Sequence, residues 1–310
     1  MTFNLKSADG LIFLSFFTKY NIRLVNTIIE KYGDLSVEAF IKEYLRNPIK
    51  ELIYSENYIN ELLNEAIICS YKLDYHKVKV ETVYGRNYPA KLKKISSPPP
   101  LLYYRGNIRR ENLVAIVGTR NPTKLADKII SLIVEVFNKH GYGIVSGLAI
   151  GIDSMAHRAA IEQNAYTLAV MPNALDSIYP KENYSLANQI LDSGGALVSE
   201  LAFGISHGKK SFVQRNRIQA GMSEIVIPVE MGIKSGTMTT IEFAYSQGKY
   251  ILLFPPKGDH KNLEQYEGIN HFIEKSTAEK YKKTYVVRDL KELDLFLKDN
   301  STAKQETLFD

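Results

Sequence analysis

From Leu113 onward short apolar runs alternate with helical patterns, and this alternation constrains the fold more than any other feature. Strands are predicted at 113–117, 142–145, 166–170, 196–199, 224–229, 250–254 and 284–287, with helices between most of them at 124–139, 154–163, 182–192 and 237–247. The strand runs lack a strict period of two, the mark of strands buried on both faces. Runs of that kind, separated by helices, predict an α/β fold with a mainly parallel sheet and helices on both faces. In such sheets ligands bind beyond the carboxyl ends of the strands, so the turns there hold the candidate site.

The region before the alternation reads differently. Residues 1–78 predict a small helical domain: Leu24, Ile28 and Ile29 repeat at helical spacing, as do Ile59, Leu62, Leu63, Ala66 and Ile67. Gly33 and Pro48 punctuate it. Residues 79–112 read as a connector, with Val78, Val80 and Val83 alternating like a strand and Leu101–Tyr104 as an edge strand.

Three turns at the sheet edge suit an anion. Gly118-Thr119-Arg120 follows the first strand, and an arginine there is a bidentate fork for phosphate. Ser146, Gly147 and Gly151 lie in the run Val145–Asp153, where they offer backbone donors and a hydroxyl at a helix start, or a tight turn that needs glycine for packing. Ser235-Gly236-Thr237 opens another helix. Lys181, after Tyr179-Pro180, adds positive charge, as do Lys209, Lys210 and the Arg215-Asn216-Arg217 run, read as the start of a packed helix. Their convergence on one edge predicts a polyphosphate ligand.

Catalytic patterns are sparse. There is no G-x-S-x-G elbow and no Walker A lysine. Asp153 reads as a helix cap, His157 as structural, and Glu200 and Glu230 as groups that orient arginines or cap turns. The expectation is a non-enzymatic protein without cofactor or metal. The single cysteine, Cys69, excludes an internal disulfide, and the six histidines lack H-x-x-x-H spacing. A net charge of +5 permits nucleic acid as partner without requiring it. No apolar run reaches the roughly 20 residues that span a bilayer, so the expectation is a soluble, cytoplasmic protein.

An ordered series of motifs resembles the DprA/Smf family of bacterial DNA-processing proteins over residues 80–275. It comprises Tyr88-Pro89, Pro99–Tyr103, Arg105-Gly106-Asn107, Val117–Arg120, Ser146–Asp153 with His157, Tyr179-Pro180, Ser199-Glu200, Arg215–Arg217 with Ala220-Gly221, and Ser235-Gly236. The resemblance implies an extended Rossmann-like domain at 79–297 behind the helical domain. It also implies single-stranded DNA binding, DNA protection, a homodimer and loading of the RecA recombinase. Arg120, Lys181, Arg215 and Arg217 would contact DNA, with backbone help from Gly118, Gly147 and Gly236.

The chain departs from the family pattern in three places. Met171–Leu175 replaces a Gly-x-Gly turn, Val213-Gln214 replaces a proline and a basic residue, and a short tail stands where some members carry a winged helix. A diverged role in a phage-defence or toxin–antitoxin locus, with a toxin as partner, and a nucleotide sensor or hydrolase are the alternatives. Residues 298–310 read as a flexible tail. Within it Gln305, Leu308 and Phe309 resemble the short peptides that bind the polymerase sliding clamp.

Overall fold

The computed structural model describes residues 3–109, 112–205, 208–275 and 283–306, with the backbone alone at 300–306. The chain forms two units. One comprises Met1–Arg105, Asn173–Ser177 and Val198–His207; the other comprises Gly106–Pro172, Ile178–Leu197 and Gly208–Asp310.

The first unit is built on α1 (Ala8–Phe17), α2 (Ile22–Tyr32), α3 (Val37–Arg46) and α4 (Glu56–Tyr75). Ser7, Asn21, Ser36 and Ser55 each accept a backbone N–H from their own helix start, so these helices begin where side-chain caps allow. Helix α1 is buried from Gly10 to Phe17, which explains why it is apolar on every side: it is the central helix of this unit. The Phe17 ring meets Phe40, Tyr44 and Tyr54 edge-on at 5.4, 5.0 and 5.4 Å. Burial pushes the Cys69 thiol up to about 11, so it stays protonated and packs as a small hydrophobe. Strand β1 (Lys79–Thr82) pairs antiparallel with β2 (Leu101–Gly106), with the one-turn helix α5 (Ala90–Lys93) between them. One division between the units falls after Arg105.

The second unit contains the alternation. Its elements are β3 (Asn112–Val117), α6 (Ala126–Lys139), β4 (Tyr142–Ser146), α7 (Ile152–Glu162), β5 (Thr167–Val170), α8 (Tyr184–Asp192), the first half of β6 (Ala196–Ser199) and α9 (Lys209–Met222). Then follow β7 (Ile225–Pro228), α10 (Gly236–Ser246), β8 (Tyr250–Leu253), α11 (Glu264–Lys275), β9 (Thr284–Val286) and α12 (Leu290–Glu306). Strand order is β6-β5-β4-β3-β7-β8-β9. The pairs β3–β4, β4–β5, β3–β7, β7–β8 and β8–β9 are parallel. Ala115 of β3 sits opposite both Val145 and Val226, so β3 is central and buried on both faces.

Val114, Ile116, Ile144 and Ile225 turn to one face and pack against Ile130, Val134 and Phe137 of α6, Ala156 of α7 and Leu293 of α12. Helix α9 lies against β3, β4 and β5 and packs with α10. The chain leaves β3 toward β4 and leaves β7 toward β8, so strand order reverses between β3 and β7. That reversal opens a crevice at their carboxyl ends.

Two readings change at the helices. The Arg215-Asn216-Arg217 run lies in the middle of α9, not at its start, because the helix begins at Lys209. Helix α12 continues through Glu306, so 298–306 extends a helix where a flexible tail is predicted. Gln305 sits in that helix, and Leu308 and Phe309 lie outside the described residues.

Candidate nucleic-acid interface

The turn after β4 is organised by two buried side chains, Asp153 and Arg215. Gly147 donates its N–H to Asp153 Oδ2 at 3.1 Å and accepts from Arg215 Nη1 at 2.6 Å; the same Nη1 reaches Val170 O at 2.6 Å. Arg215 Nε donates to Asn216 Oδ1 at 3.1 Å. A Cβ at Gly147 would run into the Arg215 guanidinium, so glycine is needed here to admit arginine. Burial lowers the Arg215 pKa to about 10, an effect that Asp153 partly offsets; it is a cation at neutral pH. Burial raises the Asp153 carboxyl, while Arg215 and backbone hydrogen bonds from Ala149 and Gly147 pull it back.

Of the two readings of this turn, these contacts fit the tight turn that needs glycine for packing. Ser146 is fully buried and its Oγ donates to Ile116 O at 2.6 Å. Gly151 has φ +89° and passes so close to Thr119 and Arg120 that a Cβ would collide. Its neighbour Ile152 donates to Thr119 O. Leu148, at φ 57°, is held by Asn183 Nδ2 on its carbonyl at 2.8 Å. Asp153 is not the helix cap, since Gly151 takes that position. His157 pairs through Nδ1 with Thr167 Oγ1 at 2.7 Å, and burial first, then Arg215 and Arg158, depress it to about 3. Glu230 is buried, accepts from Thr123 N and Oγ1 and from Tyr266 Oη, and receives Thr119 N–H on its carbonyl. It fixes the turn at Gly118-Thr119, where a Cβ on Gly118 would meet Ile152.

Two adjoining clefts open above this frame. The first, about 340 Å³, is lined by Arg120, Gly147, Ile150, Pro172, Tyr179, Lys181, Phe212 and Arg215 among others. The second, about 300 Å³, lies at the β3–β7 crevice and is lined by Gly118, Thr119, Arg120, Asp153, Phe212, Asn216, Ser235 and Gly236 among others. Arg120 and Lys181 are exposed at these walls. The Arg120 guanidinium stands 5.8 Å from the centre of the Phe212 ring, and Phe212 meets Tyr179 edge-on at 5.5 Å. Asn216 is buried and reaches Gly236 O at 3.3 Å. Lys209 and Lys210 are exposed at the start of α9 but line neither cleft. Arg217 is buried, donates to Gln214 O at 3.3 Å and also lines neither. The structure therefore gathers Gly118, Thr119, Arg120, Gly147, Lys181, Arg215, Asn216, Ser235 and Gly236 at one edge, and leaves Ser146, Gly151 and Arg217 to internal packing.

Sequence reasoning missed Phe212, Tyr179 and Gln219, which lines the second cleft. The signal for Phe212 is an aromatic residue set between Lys209-Lys210 and Arg215 on one helix. Gln219 carries none, because its polar end is hidden.

These features define a Rossmann-like α/β protein with a mainly cationic, aromatic-rimmed cleft at the carboxyl edge of its sheet. Residues 79–291 match the DNA recombination-mediator protein A family, and the chain belongs to that family. It is 34% identical over 180 residues to Protein Smf of Borreliella burgdorferi, covering 57% of each chain. It is 36% identical over 174 residues to DNA processing protein DprA of Bacillus subtilis, covering 55% of this chain and 58% of that one. The chain thus spans little more than half the length of these relatives. The X-ray structure of DNA processing protein A from Streptococcus pneumoniae superposes with a TM-score of 0.72 at 24% identity, covering 93% of this chain and 96% of that one. DNA processing protein A from Helicobacter pylori, described for its single-stranded DNA binding mode, superposes with a TM-score of 0.62 at 26% identity, covering 72% and 97%. Among the described residues, no helix is long and apolar enough to cross a membrane.

Proposed function

We propose that this protein binds single-stranded DNA as a non-catalytic, cytoplasmic participant in DNA processing and recombination. The observation that carries the reading is the pairing of two exposed cations, Arg120 and Lys181, with two aromatic rings, Phe212 and Tyr179, along one cleft wall. Cations that track phosphates beside rings on which bases stack are the means by which proteins hold single strands with little sequence preference. The Helicobacter pylori relative supports the ligand class. Asp153, on the wall of the second cleft, and His157 are both committed to internal contacts, which favours binding over hydrolysis.

The family resemblance extends the proposal to a homodimer and to RecA as a partner, to be read by sedimentation of the chain alone and with RecA on a single strand. The primary test is anisotropy with single- and double-stranded oligonucleotides at two salt concentrations. Tighter, salt-dependent binding of the single strand is expected. Equal binding of both forms, or binding indifferent to salt, rejects the reading.

A further inference from the structure

The second cleft contains more hydrogen-bond donors than the fold uses. Gln219, on α9, is 1% exposed, and its Nε2 is buried without a hydrogen-bond partner among the described residues. Ser235 Oγ, at the start of α10, is likewise buried and unpaired. Both residues line this cleft, and α10 opens there with Gly236 and Thr237. The first amides of an α-helix have no partner within the helix, and the helix dipole adds positive potential at that end. An unmet buried donor is costly, so two in one cleft, beside a helix start and the Arg120 and Arg215 guanidinium groups, mark a ligand's place.

The donors select the ligand. All of them give protons, so the ligand accepts, and the cations make it an anion. Among the described residues, Asp153 is the one carboxylate on the wall; it is tied to Gly147 N–H and sits with Arg215, so it does not supply a competing free charge. A bridging phosphodiester must keep chain running out in two directions, and it presents two free oxygens. A group that reaches a donor as deeply buried as Gln219 Nε2 enters end-on. A phosphate monoester does so, with three free oxygens and up to two charges. At about 300 Å³ the cleft is at the small end of ligand sites, the scale of one nucleotide rather than a length of strand.

We infer that the α9–α10 cleft is a subsite for a terminal phosphate monoester, with Gln219 Nε2 and Ser235 Oγ as its deep donors. The inference deepens the proposed strand-binding role by giving the strand an end that is read. The same chemistry is presented by a strand terminus and by a free nucleotide.

The test uses the full chain and an internally labelled single strand displaced by unlabelled strands carrying a 5′-phosphate, a 3′-phosphate or neither. One phosphorylated end is expected to compete about tenfold better than the hydroxyl-ended strand, the scale of a hydrogen bond to a charged group. In Gln219→Leu that ratio falls to one, while the melting temperature holds or rises because an unmet buried donor is gone. No preference in the wild type, or a preference that survives Gln219→Leu, overturns the inference. Inorganic phosphate and deoxynucleoside monophosphates are titrated in parallel by thermal shift. If no strand binds but these raise the melting temperature of the wild type and not of Gln219→Leu, the subsite stands with a free nucleotide as its source and the strand-binding reading fails. If no strand binds and neither compound shifts the wild type, both fail.

Discussion

Arg215 and Arg120 lie at the same cleft, and their environments are opposite. Arg215 is buried, bonded to two carbonyls from separate strand ends and set near a carboxylate. Arg120 is exposed, on a turn, with its guanidinium near an aromatic ring. The first cation builds the wall and the second faces solvent from it. A basic motif can thus be part of a binding surface in sequence while its members divide between scaffold and contact.

The sharpest way to break that contrast is to remove Arg215. Arg215→Met leaves Asp153 without its cation and two carbonyls without a donor, with an expected loss of about 3–5 kcal/mol in urea unfolding. Arg120→Met should stay within about 0.5 kcal/mol of wild type, as exposed substitutions do. Equal losses would dissolve the distinction. Next in size is the double substitution Arg120→Ala with Lys181→Ala. It should weaken single-strand affinity roughly a hundredfold and reduce the salt slope by about 1.4, the share of two phosphate contacts, in anisotropy titrations. A slope left intact would move the phosphate path elsewhere.

Phe212→Ala should cost about tenfold in affinity with no change in salt slope, since a stacked base contributes about 1–3 kcal/mol without charge. An effect of similar size belongs to His157. Its pKa is depressed to about 3 in the folded chain, so between that value and 6.5 the unfolded chain binds more protons. Stability is therefore lost as pH falls from 6.5. His157→Gln should flatten the stability profile by about 1–2 kcal/mol between pH 6.5 and 5 when the two proteins are unfolded in urea across that range.

Much of the second unit is legible in the sequence. The runs at 113–117 and 196–199 read as strands because buried parallel strands are apolar throughout and short, and the structure has β3 at Asn112–Val117 and β6 at Ala196–Ser199. The start of α9 is not legible, because Lys209-Lys210-Ser211 carries no apolar period. Nor is the burial of Arg215. Its carbonyl partner on Gly147 lies 68 residues away, and only the folded sheet brings Val170 to the same nitrogen. The candidate site was therefore visible as a set of turns and cations, while the split between packing and contact was not.

Gly147 carries a consequence for how this sequence can change. Its missing side chain leaves the space that the Arg215 guanidinium occupies. The two positions are bound by epistasis: alanine at 147 is harmful while arginine stands at 215. In an Arg215→Met background the added cost of Gly147→Ala should fall sharply, and a double-mutant cycle in urea would measure the coupling. The space at 147 and the guanidinium at 215 are therefore expected to change together, and the cycle reads how strongly.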